Sequence, residues 1–110
     1  MSYDVVVVGG GLAGLTAGLY SARFGLRTLI IEKMMSGGQV LNIDHIETFP
    51  GFPEGVGGAT LGPTMQMQAE AAGAEFVTDT VTGLTGDGDG GFTLHCDEGD
   101  RKKHYQNNPC

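Results

Sequence analysis

Residues 4–14 read Asp-Val-Val-Val-Val-Gly-Gly-Gly-Leu-Ala-Gly. The run Val5 to Val8 is β-branched and bounded by glycine, which predicts a short strand buried on both faces, as in a parallel sheet. From Leu12 to Phe24 the residues are good helix formers or small, and Gly25 stands where a helix stop belongs. Arg27 to Ile31 is a second apolar strand, ending at Glu32. Strand, helix and strand within about thirty residues make a βαβ unit with a right-handed crossover.

Between the first strand and the helix, Gly9-Gly10-Gly11-Leu12-Ala13-Gly14 is a G-x-G-x-x-G placed where a pyrophosphate would need it. Gly9 permits the tight turn, Gly11 lets the main chain approach the phosphates, and Gly14 lets helix and strand pack closely. The phosphates would rest at the helix N-terminus around Leu12 and Ala13, where unpaired N–H groups and the helix dipole both favour negative charge. Gly18 keeps a second position of that helix small. Glu32, with Lys33 beside it, follows the glycines at the spacing where an acidic residue meets a ribose 2′-OH. A carboxylate there favours FAD or NAD over NADP.

The chain has 110 residues, 20 of them Gly, more than twice the usual roughly 7%. The glycines lack a period of three and Pro numbers only 4, which excludes collagen, and 40% hydrophobic residues argue against simple disorder. The formal net charge of -7 argues against nucleic acid or an anionic membrane as the main partner. No Lys or Arg occurs between Met34 and Asp100, so a bound phosphate would lean on backbone N–H groups. The start of the chain carries no basic, apolar leader, and Val5 to Val8 is too short to span a bilayer, so a cytoplasmic location is expected. Cys96 and Cys110 form neither a disulfide framework nor a C-x-x-C pair.

Met34 to Gly58 shows no sustained periodicity and reads as a long irregular segment, which in a compact domain is normally functional. Thr60 to Ala72 reads as a helix with Pro63 in its first turn and Gly73 as its stop; Leu61, Met65, Ala69 and Ala72 share one face. Glu75 to Leu84 reads as one strand, Gly86 to Gly91 as a turn, and Phe92 to Cys96 as the antiparallel partner. Asp44-His45 reads as solvated and Cys96 as a small inert hydrophobe. The domain organisation expected is therefore residues 1–100 as part of a nucleotide-binding domain and residues 101–110 as a basic, polar, disordered or truncated tail unable to supply a further strand. No metal site is expected.

The excursion after the second strand separates FAD from NAD. Ser36-Gly37-Gly38-Gln39-Val40 through Ile46-Glu47-Thr48-Phe49-Pro50-Gly51-Phe52, with the later Leu61-Gly62-Pro63 and Ala74-Glu75-Phe76, resembles the thioredoxin reductase family of FAD-dependent pyridine nucleotide-disulfide oxidoreductases. The resemblance implies an α/β, Rossmann-like FAD-binding unit with a short parallel sheet and an added antiparallel β-hairpin, incomplete at its C-terminus. It further implies that Gly37, Gly38 and Gln39 wrap the ribityl and isoalloxazine end of FAD and that the Val81 backbone lies near the adenine. Where the family has Asn beside the flavin this chain has Thr48, whose hydroxyl reaches less far. In the intact family NADPH delivers hydride to the flavin, which passes electrons through a protein dithiol to a thioredoxin-like partner.

These 110 residues contain no C-x-x-C, and the later Gly86-x-Gly88-x-x-Gly91 reads as a hairpin turn and not as a second nucleotide-binding motif, so no catalytic residue is assigned and the chain alone is expected to be inactive. A ferredoxin-NADP reductase of the same architecture, or a non-catalytic nucleotide-binding module, stays open on the residues alone. An open sheet edge predicts homo-oligomers or aggregates.

Overall fold

The computed structural model describes residues 2–33, 37–38, 42–86, 88, 90–98 and 101–107. Among these residues nine elements follow in chain order: β1 (Ser2–Tyr3), β2 (Val5–Val8), α1 (Leu12–Arg23), β3 (Thr28–Glu32), α2 (Gly58–Ala71), β4 (Glu75–Thr78), β5 (Thr80–Gly86), β6 (Phe92–Glu98) and β7 (Arg101–Asn107). They form three layers. Strands β2, β3 and β4 make a parallel sheet in the order β2-β3-β4, with Val5 opposite Thr28 and Leu29 opposite Glu75. The helices pack on one face of it, where Leu15, Ala22, Ile30, Ala69 and Ala74 are buried together. On the other face a second sheet, ordered β1-β7-β6-β5, closes over Tyr3, Leu29, Ile31, Leu94 and Cys96.

Strand β3 is buried along its whole length because it is the middle strand of the parallel sheet and both faces are covered. The same expectation fails for β2. Val5 to Val7 are only half-buried and Val8 is 59% exposed, because β2 is an edge strand of that sheet.

Helix α1 stops as its glycine requires. Gly25 takes φ +84, its N–H donates to the Ala22 carbonyl, and the Leu26 N–H donates to that of Ser21, the paired bonds of a Schellman stop. Helix α2 begins at Gly58, earlier than expected, so Pro63 sits in its interior and not in its first turn. The apolar face is as expected: Leu61 and Ala69 are buried, with Met65 and Ala72 partly so.

Residues 75–84 do not form one strand. The parallel strand β4 ends at Thr78, and the chain turns at Asp79 to enter β5, which pairs antiparallel with β6 in the other sheet. Residues 101–107 also depart from expectation. They form β7, antiparallel to β6 and parallel to β1, where a disordered tail was predicted. Sheet pairing is made by backbone N–H and C=O groups, so a strand without aliphatic residues can still occupy the free edge of a hairpin. The register sets Lys102 opposite Asp97 and Arg101 opposite Glu98.

Candidate functional site

The site grows from the turn between β2 and α1. Gly9 takes φ +108 and its N–H donates to the Ile31 carbonyl at 2.7 Å, which fixes the turn beside the end of β3. A β-carbon at Gly14 would lie 1.8 Å from the Gly9 carbonyl oxygen, so helix and turn touch main chain to main chain. At Gly11 a β-carbon would meet none of the described residues within 4 Å. Among the described residues the space in front of Gly11 is open, as close approach of a phosphate requires.

Gly11 caps α1 without a side-chain hydrogen bond, and no acidic residue lies in the first turn. The leading N–H groups of α1, at Leu12, Ala13 and Gly14, have no intrahelical acceptors, and the positive end of a twelve-residue helix faces the opening. Leu12 is half-buried and Ala13 exposed.

Three further segments converge on this turn. Glu32, 7% exposed, accepts a hydrogen bond from the Gly10 N–H at 2.8 Å through Oε1. Gly37 donates to the Gly10 carbonyl at 2.8 Å, and Gly38, at φ +56, has space for a β-carbon 3.7 Å from Gly11 Cα and 3.9 Å from Glu32 Oε1. The Gly37-Gly38 pair thus sits over the glycine turn. Past Glu32, a cavity of about 330 Å³ is lined by Val8, Gly9, Ile31, Glu32, Lys33, Asp79, Thr80 and Val81. It unites four of the residues singled out from sequence: Gly9, Glu32, Lys33 and Val81.

One expected residue stands apart from this site. Thr48 is exposed in the loop that the Ile46–Val56 bridge closes, and it does not line the cavity. Gln39 lies outside the described residues.

Three residues escaped the sequence reading. Gly10 occupies a variable motif position, yet a β-carbon there would sit 2.8 Å from Glu32 Cβ and 3.0 Å from the Phe76 ring, so Gly10 and Phe76 together set how near Glu32 comes. The third is Asp79. It is 4% exposed; its N–H donates to the Glu32 carbonyl at 3.0 Å, its Oδ1 accepts from the Thr80 N–H at 2.8 Å, and its Oδ2 is buried with no hydrogen-bond partner among the described residues. Its signal in the sequence was a charged residue inside a Val- and Thr-rich run, where strands disfavour Asp.

Outside the cavity the secondary candidates are unremarkable. His45 and Glu47 pair at 3.4 Å on the surface, and Cys96 is buried in the core. Among the described residues no group of His, Cys, Asp and Glu could hold a metal ion, and no helix is long and apolar enough to cross a membrane.

The residues fit a dinucleotide cofactor on two counts: space open among the described residues in front of Gly11 at an uncapped helix N-terminus, and a buried acceptor without a described partner on Asp79, which lines the adjoining cavity. Comparison with known proteins agrees. The family described as FAD binding domain matches residues 4–42. The thioredoxin reductase of Treponema pallidum is 45% identical over 80 residues, covering 73% of this chain and 26% of that protein. The thioredoxin reductase of Streptomyces clavuligerus is 44% identical over 87 residues, covering 76% and 27%. Among solved structures, a thioredoxin reductase from Gloeobacter violaceus superposes with a TM-score of 0.83 at 32% identity, over 96% of this chain and 32% of that one. Lactococcus lactis thioredoxin reductase gives 0.78 at 36% identity, over 94% and 33%. The chain spans about a quarter of the length of the curated relatives it matches. It belongs to the thioredoxin reductase-like family of FAD-dependent oxidoreductases and corresponds to part of their FAD-binding portion.

Proposed function

We propose that this chain holds FAD for an NADPH-dependent disulfide reductase whose dithiol and NADPH site lie in sequence beyond these residues. The observation that carries the reading is the bare N-terminus of α1 at Gly11, open among the described residues, with Gly9 of the same turn lining the cavity beside Glu32. Bound FAD would supply the two-electron carrier between NADPH and a disulfide.

This chain's own residues bind and orient. The leading N–H groups of α1 and the Gly9–Gly11 turn hold the pyrophosphate; Glu32 and Lys33 flank the adenosine; Val81 borders the base; Gly37, Gly38, Gln39 and Thr48 serve the flavin end. Residues 1–100 act as the nucleotide-binding part of the domain, and the electron acceptor of the intact protein is a thioredoxin-like protein. A reductase of this kind belongs to a reducing compartment, which agrees with the cytoplasmic expectation.

The isolated chain also associates with itself. Val6, Val8, Leu84, Phe92 and Leu94 line an apolar groove beside the edge strand β2. An unpaired strand edge next to an apolar face invites pairing with a second copy.

The test is direct. FAD added to the purified 110-residue chain should remain after exhaustive dialysis as visible flavin absorbance in the protein fraction. A folded chain that stays colourless overturns the reading.

A further inference from the structure

Consecutive residues of the turn are glycine for different reasons. Gly9 takes a positive φ, whereas Gly10 does not, so its backbone would accept an L side chain. Its neighbours would not. The place of a β-carbon on Gly10 lies 2.8 Å from Glu32 Cβ, 3.1 Å from Glu32 Cγ and 3.0 Å from Cε2 of the Phe76 ring. A methyl group there would crowd all three.

Phe76 reaches this point from β4. The register pairs Ile30 with Phe76 and Glu32 with Thr78, so Phe76 is a diagonal neighbour of Glu32 across the two strands. Its side chain packs against the cluster that holds Leu15 and Ile30, which anchors it under the helices. Glu32 is fixed by more than one contact. Its carbonyl accepts from the Asp79 N–H at 3.0 Å, its Oε1 accepts from the Gly10 N–H at 2.8 Å, and its stem lies against the bare face of Gly10 that the Phe76 ring also meets. An unconfined Glu samples many rotamers, while an O–H···O bond keeps to roughly 2.5–3.0 Å, so a carboxylate that meets a hydroxyl needs its stem held.

Resting on the FAD reading above, in which Glu32 meets the ribose, we infer that Phe76 is a positioning residue for the Glu32 carboxylate and that Gly10 and Phe76 are a size-matched pair. The ring takes the room that a side chain at residue 10 would need, and the two together set the depth of Glu32 beside the turn. A methyl added at residue 10 pushes Glu32 outward. A smaller residue at 76 lets its stem sink back.

The test measures FAD affinity by flavin titration for the full chain, Gly10→Ala, Phe76→Val and the double variant. Valine suits a strand, so β4 is kept. Each single substitution should weaken binding about tenfold, the value of one displaced hydrogen bond to a charged group, and the double variant should bind more tightly than either single one. Affinity is scored per folded molecule, so a general loss of stability does not enter. Losses that simply multiply in the double variant overturn the inference.

A second readout needs no FAD. In the same turn the Gly10 N–H is bonded to the Glu32 carboxylate and the Gly9 N–H to the Ile31 carbonyl at 2.7 Å. Phe76→Val should speed hydrogen exchange of the Gly10 amide about tenfold relative to that of Gly9, because only the first bond depends on where the Glu32 side chain stands. Phe76→Leu serves if the valine variant does not fold. An unchanged ratio of the two rates overturns the inference whatever FAD does. Failure of the unaltered chain to bind FAD, with the ratio shifted as expected, overturns the FAD reading and supports the placement of Glu32 by Phe76.

Discussion

The backbone of α1 at Gly14 rests on the Gly9 carbonyl, so closely that a β-carbon at Gly14 would lie 1.8 Å from that oxygen. Gly11, three residues earlier, faces space that is open among the described residues instead. The two glycines of one motif therefore do different work. Gly14→Ala collides with main chain that cannot rotate away, and should destabilise the fold by about 3 kcal/mol. Gly11→Ala keeps an allowed backbone and should cost less than about 1 kcal/mol, yet weaken FAD binding about tenfold or more by narrowing the approach. Thermal melts and flavin titrations of both variants check the contrast; equal stability of the two would sink it.

Glu32 supports the turn as well as facing the cavity. Glu32→Ala takes away the acceptor of the Gly10 N–H and should cost about 1–3 kcal/mol in urea unfolding. Glu32→Gln retains a carbonyl oxygen and should cost clearly less. Identical midpoints for the two variants would show that the bond contributes nothing.

Tyr3 ties β1 to β4 on the face away from the helices. Its hydroxyl donates to a Glu75 carboxylate oxygen, and the Arg27 guanidinium lies 5.8 Å from its ring centre. Tyr3→Phe should lose about 1 kcal/mol of stability while leaving flavin affinity unchanged, because Tyr3 does not line the cavity. A fall in affinity without a fall in stability would contradict this division.

The groove beside β2 gives a solution prediction. Leu84 is 63% exposed within it. Leu84→Lys should lower self-association of the chain, because a charge at an open sheet edge blocks pairing with another copy. Light scattering that is identical for the two proteins, or that reports a compact monomer for both, would remove the argument.

Much of the site was legible because its chemistry is local. A glycine turn, a helix opening on it and an acid at the end of the next strand are each written within a few residues. Gly25 likewise declares its helix stop, and the structure gives it the positive φ and the paired bonds that the residue type implies. Asp79 was not legible, because its meaning comes from contact with Glu32, far away in sequence, and from an oxygen left without a donor among the described residues.

The βαβ unit, the glycine turn and the apolar face of α2 follow from the order of residues alone, since backbone freedom and hydrophobic spacing are properties of short segments. Which strand is central and which lies at the edge emerges from the folded chain. So do the change of sheets at Asp79 and the pairing of residues 101–107 as a strand. The physical reason is that sheet order and register are settled by backbone groups of distant segments meeting in space, and a hydrophobic pattern does not encode which edge a strand will find.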